Sequence, residues 1–244
     1  MKKKTVIDFI PSMAAAFVSV VCLFVYFFAF HKSNYVDILK ACVVPVAALV
    51  IPLLNLIFKI RIPYALNIAV AAYAVVALDG ASVLNFYEYI PYYDKFLHTA
   101  FGIVGSFAIF TMLLYGRGEK MKPWCFFLTI MLCVLGVAAF WEIYEYAGTA
   151  IFHYDMQHWM PNMSEVGDMT VSEFFKSYDP LWDTIWDIIV AVFGVLMFYL
   201  IVLVDKFCGY KMCKSIYLQV VSTRKPPKKA EAETPSEEKE EKEE

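Results

Sequence analysis

Six apolar stretches, each near the length that crosses a bilayer, constrain this chain more than any other feature. A hydrocarbon core about 30 Å thick needs about 20 apolar residues in a helix. Only helices and closed barrels satisfy their own backbone there, and runs this long and continuous belong to helices. The runs fall at 11–30, 36–58, 62–80, 95–115, 123–150 and 184–205. Composition agrees: 60% of the 244 residues are hydrophobic, 18% are charged, and mean hydropathy is +0.57. Soluble domains are nearer half apolar and a quarter charged. The expected fold is therefore all-α, a polytopic membrane helix bundle in a cell membrane, with the helical domain at 1–221.

Lys2, Lys3 and Lys4 precede the first run in the manner of a signal peptide, but no small-residue cleavage site follows Phe30. That run reads as an uncleaved first span. Pro45 and Pro52 predict a kinked second span, and Asn67 and Asp79 interrupt or bound the third. The fifth run is longer than a bilayer requires, so it tilts or projects beyond the surface at its Glu-bearing end. The six cysteines (Cys22, Cys42, Cys125, Cys133, Cys208 and Cys213) lie in or beside apolar segments without metal-like spacing, and no disulfide framework is expected.

The basic residues set an orientation. Lys2, Lys3, Lys4, Lys59, Arg61, Arg117, Lys120, Lys122, Lys206, Lys211 and Lys214 collect on one side, against Lys32, Lys40, Lys95 and Lys176 on the other. By the positive-inside rule both termini are cytoplasmic. The acidic loop from His153 to Trp182 is then outside. An aromatic belt lies on the same side: Tyr87, Tyr89, Tyr92, Tyr93, Trp141, Tyr144, Tyr146, Trp159, Tyr178, Trp182 and Trp186. The segment 222–244 has no large apolar residue and passes from basic to acidic. It reads as a disordered cytoplasmic tail whose basic part can rest on anionic lipid. The net charge of −3 says little about partners because the charges are segregated by position. The expected partners are membrane lipids and not nucleic acid; oligomeric state is not legible.

Against this apolar background stand three ionisable pairs at helical spacing: Asp94 with His98, Glu142 with Glu145, and Asp183 with Asp187. A charge at the centre of a membrane helix costs about 2.5–3.5 kcal/mol on insertion scales, so such residues need a reason. Residues three or four apart share a helix face. Topology brings all three pairs to the outer boundary, because spans four and six begin there and span five ends there. From Pro123 to Glu142 is about 29 Å of helix, one hydrocarbon thickness.

Each residue also has a plain structural reading. Asp94 and Asp183 suit the first turn of a helix, where the dipole favours a carboxylate. His98 can be a satisfied core histidine, and Lys95 can snorkel to the interface or receive an anionic headgroup. His153, Asp155 and His158 can ligate metal or be solvated loop residues. Helix capping does not account for Glu142 and Glu145, which sit toward a C-terminal end; they can still point to water if the helix continues. Gathered in one ring, five carboxylates coexist only if protonated or if cations sit among them. The economical cation is a divalent metal: oxygen ligation suits Mg, Mn or Ca, and the imidazole shifts the preference toward Mn, Fe or Zn. Asp94, His98, Glu142, Asp183 and Asp187 are the expected ligands, with Glu145 as general base and Lys95 as a second catalytic group.

The blocks YDKFLH, WEIYEYAG and DPLWDTIWDIIVAVFG carry these residues. They resemble the signature blocks of the YjdF-type bacterial membrane proteins and, more distantly, the VanZ-like proteins, which share a D-K-x-x-H opening. The resemblance covers Tyr92 to Gly194. It maps Asp94, Lys95 and His98 to the first block, Glu142 and Glu145 to the second, and Asp183, Asp187 and Gly194 to the third. Ala191 stands where the family pattern leads one to expect a polar residue, often Asn. The resemblance implies a polytopic inner-membrane protein without a settled activity.

Three functions fit these expectations. The first is a metal-dependent enzyme on lipid-linked or headgroup substrates. The second is a cation- or proton-coupled transporter or channel; the third is a scaffold whose polar cluster fixes helix packing. A transporter needs a polar path continuing to the cytoplasmic side, where the sequence offers only Asn55 and Asn67.

Overall fold

The structure is a computed structural model that describes residues 7–30, 35–152 and 180–223. The tail beyond Thr223, and His153, Asp155, His158, Trp159 and Tyr178 of the loop, lie outside the described residues. Among the described residues there are only helices: α1 (Ile10–Phe28), α2 (Tyr35–Phe58), α3 (Tyr64–Ala74), α4 (Tyr93–Tyr115), α5 (Pro123–Phe152), α6 (Pro180–Phe207) and α7 (Lys211–Val221). A π-helical segment, Val75–Val83, continues α3, and a single helical turn, Phe86–Tyr89, precedes α4. Six helices among the described residues have the length and apolar composition to cross a membrane, with the third crossing formed by α3 and its π extension, Tyr64–Val83.

Packing partners reveal the directions of the helices. Tyr26 meets Ala41 while Ala15 meets Val44 and Ala48, so α1 and α2 run antiparallel. Phe110 of α4 packs on Phe126 of α5 and on Phe198 of α6. With His98 near both Glu142 and Asp187, α4 is antiparallel to α5 and parallel to α6. The three pairs of sequence-predicted site residues therefore reach one end of the bundle. The basic residues of the short turns reach the other.

Two features tie off that basic end. The Asn55 side chain accepts the Ile62 N–H at 2.7 Å, and Asn67 donates to the Asp8 carbonyl at 2.6 Å. Asn55 thus closes the turn between α2 and α3, and Asn67 ties α3 to the residues ahead of α1. α7, which periodicity had not singled out, is an amphipathic helix lying against the bundle. Its Ile216 and Val220 join the largest apolar cluster, with Phe110, Leu114, Phe126, Ile130, Val134, Val195 and Phe198. Asp205 anchors its start by accepting the Met212 and Cys213 N–H groups, each at 2.8 Å.

Three expectations change. Asp79 does not end the third span, since the helix passes through it to Val83 by widening to π geometry. Asp79 is fully buried there, accepting from Ser19 at 2.6 Å. Tyr93 is not a belt residue. It is buried, with its hydroxyl donating to the Val76 carbonyl at 2.8 Å, and Gly80 leaves the room it needs. A Cβ at Gly80 would lie 2.6 Å from the Tyr93 oxygen. The sixth helix begins at Pro180, earlier than the apolar run, while Asp183 stays in the first turn as expected.

A carboxylate cluster at a close helix crossing

The site is set by one contact between backbones. A Cβ on Gly102 of α4 would fall 2.2 Å from the Ala191 carbonyl oxygen of α6 and 2.9 Å from the Gly194 Cα. One on Gly194 would fall 2.2 Å from the Thr99 carbonyl oxygen. Small residues let membrane helices approach this closely, since apolar burial provides no drive between helices in lipid. Ala191, the departure from the family pattern, is buried within the crossing. One turn above it, the ionisable residues of the two helices are forced together.

Lys95 sits at the centre of the aspartates. Its ammonium donates to Asp94 at 3.0 Å, to Asp187 at 2.8 Å, and to Asp183. Asp94 and Asp183 therefore do more than favour a helix dipole: they and Asp187 share one cation. Asp187 is buried, whereas Lys95, Asp94 and Asp183 keep partial access. Lys95 is not an interfacial snorkeller but an internal counter-ion.

His98 separates this trio from the glutamates. Its Nε2 lies 3.7 Å from Asp94 Oδ1 and 3.8 Å from Asp187 Oδ1, and its Nδ1 lies 3.7 Å from Glu142 Oε1. These separations are too long for hydrogen bonds. They are near the about 3–3.5 Å that separates two ligands held about 2.1 Å from one ion. Two groups share the imidazole: Asp94, His98 and Asp187, and His98, Glu142 and Glu145. Within each, one ligand atom per residue lies within 4.8 Å of the others. Asp183 belongs to neither group, being engaged by Lys95.

Glu142 and Glu145 are 4% and 8% exposed, so they face the bundle and not water. The Thr184 hydroxyl of α6 lies beside Glu142. Even so, among the described residues no donor meets full hydrogen-bond geometry at either Glu142 oxygen. Buried polar atoms are nearly always satisfied, and a carboxylate in this position is the exception that needs an account.

Next to the glutamates is a cavity of about 350 Å³. Its deep walls are apolar: Ala47 of α2, Val70 and Ala74 of α3, Ala77 and Leu78 of the π segment, and Val137 and Ala138 of α5. Asp94, His98, Glu145 and Trp141 line it as well, with Tyr73 and Tyr87. Burial, then the charges of Asp94 and Glu145, hold the Tyr87 phenol well above its usual value, so it remains a neutral donor. Sequence reading missed this cavity and Tyr73, and placed Tyr87 only in the aromatic belt. No periodic signal marks a void between helices.

Beneath the Gly102–Gly194 crossing itself the polar character stops. The Ser106 and Thr111 hydroxyls donate to carbonyls of their own helix, Gly102 and Phe107, and below them lies the apolar cluster around Phe110, Phe126, Val134, Val195 and Phe198.

No curated protein and no solved structure matches the chain. A family model described as a predicted membrane protein matches residues 13–206, from α1 almost to the end of α6. That match agrees with the YjdF-type likeness and extends it well beyond the three blocks, while the VanZ-like likeness gains nothing from it. On this breadth of agreement, the chain belongs to the predicted membrane protein family DUF2238.

Proposed function

We propose that the protein is a metal-dependent membrane enzyme acting at lipid headgroup level, with a divalent ion held by His98, Glu142 and Glu145. The observation that carries this reading is Glu142: buried, without a fully formed hydrogen bond, and facing the His98 Nδ1. A cation between them would satisfy both residues and offset the repulsion between the two glutamates. One imidazole with two carboxylates suits Mn or Zn better than Mg. Such an ion polarises a phosphoryl or carbonyl oxygen and activates water.

The reading divides the expected ligand set. Lys95 supplies the cation for Asp94, Asp183 and Asp187, and the charges of Asp94 and Asp187 in turn orient and buffer His98 across its Nε2 face. Glu145 serves as a ligand in this arrangement, in place of the general base expected from sequence. Partial access at Asp94 and Lys95 gives a headgroup a route to the site. The transporter alternative is disfavoured by the apolar cluster beneath the Gly102–Gly194 crossing.

Metal analysis of the detergent-purified protein tests the proposal. After loading with Mn²⁺ or Zn²⁺ and desalting, stoichiometric metal is expected in wild type and lost in Glu142→Gln and His98→Ala. Wild-type protein that retains no metal overturns it. The orientation belongs to the same proposal: the cluster is taken to face outward, with cytoplasmic termini. A cysteine at position 164 (Ser164→Cys, native cysteines removed) should react with an impermeant maleimide on intact cells. Reaction only after lysis would invert the topology.

A further inference from the structure

We propose that the cavity beside Glu145 is a seat for one hydrocarbon chain of a lipid with an anionic headgroup, placing its headgroup oxygens at His98 and Glu145. The inference deepens the reading above and rests on it for the headgroup; the chain seat stands on the cavity itself.

The shape and the chemistry agree. The volume of about 350 Å³ is at the lower end of ligand sites. Most of its wall is small or aliphatic: Val70, Ala74, Ala77, Val137 and Ala138 leave space where larger residues would close it. Empty apolar cavities of this kind exclude water and accept apolar guests. Its ionisable carboxylates and imidazole, Asp94, Glu145 and His98, belong to the carboxylate cluster already described, so the tail compartment is continuous with the headgroup site. From Glu145 back to Val137 is about 12 Å of helix, which is the depth available to a chain beneath the headgroup.

The wall on one side is built to stay open. Ala77 and Leu78 belong to the π-helical segment, whose widened turn is fastened by the Tyr93 hydroxyl on the Val76 carbonyl. Such π insertions recur at functional sites. Here the insertion directs residues of α3 into the gap between α2, α4 and α5. A hydrocarbon chain is the guest that a bilayer offers at this depth, and the two glutamates beside a metal select a headgroup that can ligate it.

The test uses a photoactivatable alkyl phosphate, with a diazirine near the end of the chain, added to the full-length protein in Mn²⁺-loaded and metal-free form. Residue-resolved mass spectrometry should place the crosslinks on Ala74, Ala77, Val137 or Ala138 and not on the lipid-facing Phe140, which is 74% exposed. Ala74→Phe and Ala138→Phe, on different helices, each fill the cavity. Each should cut labelling by about tenfold or more, the equivalent of losing about two buried methylenes, and leave metal content unchanged. If neither variant folds, the wild-type crosslink map decides alone. Crosslinks spread evenly over lipid-facing positions, or labelling that ignores both ring substitutions, overturn the chain seat whether or not metal is bound. Cavity labelling by a protein that binds no metal supports the seat and overturns the enzymatic reading.

Discussion

Lys95 of α4 donates to Asp187 of α6 at 2.8 Å, across 92 positions of sequence, and the same ammonium also holds Asp94 and Asp183. The pairing turns what reads in sequence as a ring of repelling acids into two unequal halves. One half carries its own cation. The other, Glu142 and Glu145, does not.

Removing that cation should be costly and specifically repairable. Lys95→Gln leaves three aspartates clustered without a counter-ion, and the expected loss is about 1–3 kcal/mol. Full burial would make it about 3–5, but the Lys95 side chain keeps 23% exposure. The melting temperature in chelator should fall, then recover on adding millimolar Mn²⁺ or Ca²⁺, with additional metal bound per chain. A melting temperature indifferent to Lys95→Gln would show that the aspartates do not depend on this ion pair.

The crossing gives a sharper contrast between glycines. Gly102→Ala places a methyl against the Ala191 carbonyl at 2.2 Å, where only backbone can yield, and should destabilise by about 1–3 kcal/mol. Gly136→Ala, with nothing within 4 Å of the new carbon, should change stability by less than about 1 kcal/mol, and upward if at all. Tryptophan-fluorescence melting of the purified variants compares the two. Equal effects would mean that α4 and α6 do not meet here.

Asp79 is a buried carboxylate with one oxygen on Ser19 and the other without a partner, and no ion pair holds it among the described residues. Asp79→Asn keeps an acceptor for Ser19 and removes the charge, so stability should hold or rise. Ser19→Ala, which strips the one donor, should lower it by about 1–3 kcal/mol. A drop in Asp79→Asn larger than in Ser19→Ala would point to a bound cation at Asp79.

Cys213 and Cys208 should differ in reactivity. Burial, then the neighbouring Asp205 carboxylate, pushes the Cys213 thiol up to about 12, and only the thiolate reacts with maleimide. At pH 8.5 less than about one Cys213 in a thousand is ionised, and its labelling rate should rise about tenfold per pH unit until the pH nears 12. Cys208 is exposed and should label readily. Denaturant should abolish the difference, and Asp205→Asn should speed labelling of Cys213 in the folded protein. Rapid modification of native Cys213 at pH 8.5 would contradict the hold of Asp205 and partial burial on its thiol.

Much of the architecture was legible in sequence because a bilayer leaves few options. Apolar length fixes the number of crossings, and alternation then fixes which ends share a side. Helical spacing put Asp94 with His98, Glu142 with Glu145, and Asp183 with Asp187. The inward aim of the two glutamates was not legible, since the helix continues to Phe152 and a continuing helix left them free to point to water; only packing shows both buried.

Tertiary structure decided the rest, because it depends on which helix faces meet and how closely. Spacing cannot reveal that Gly102 and Gly194 bring backbones into contact, and that contact delivers Lys95 to Asp183 and Asp187. Nor does it reveal that Asp79 continues a helix by widening it, since a π turn is stabilised by partners such as Tyr93 that arrive from elsewhere in the chain. The cavity beside Glu145 exists only as a space left between four membrane-crossing helices and the short turn that carries Tyr87. Sequence by itself determined that charge would gather at one end of this bundle; the close packing of α4 on α6 decided which of those charges are paired and which still need a partner.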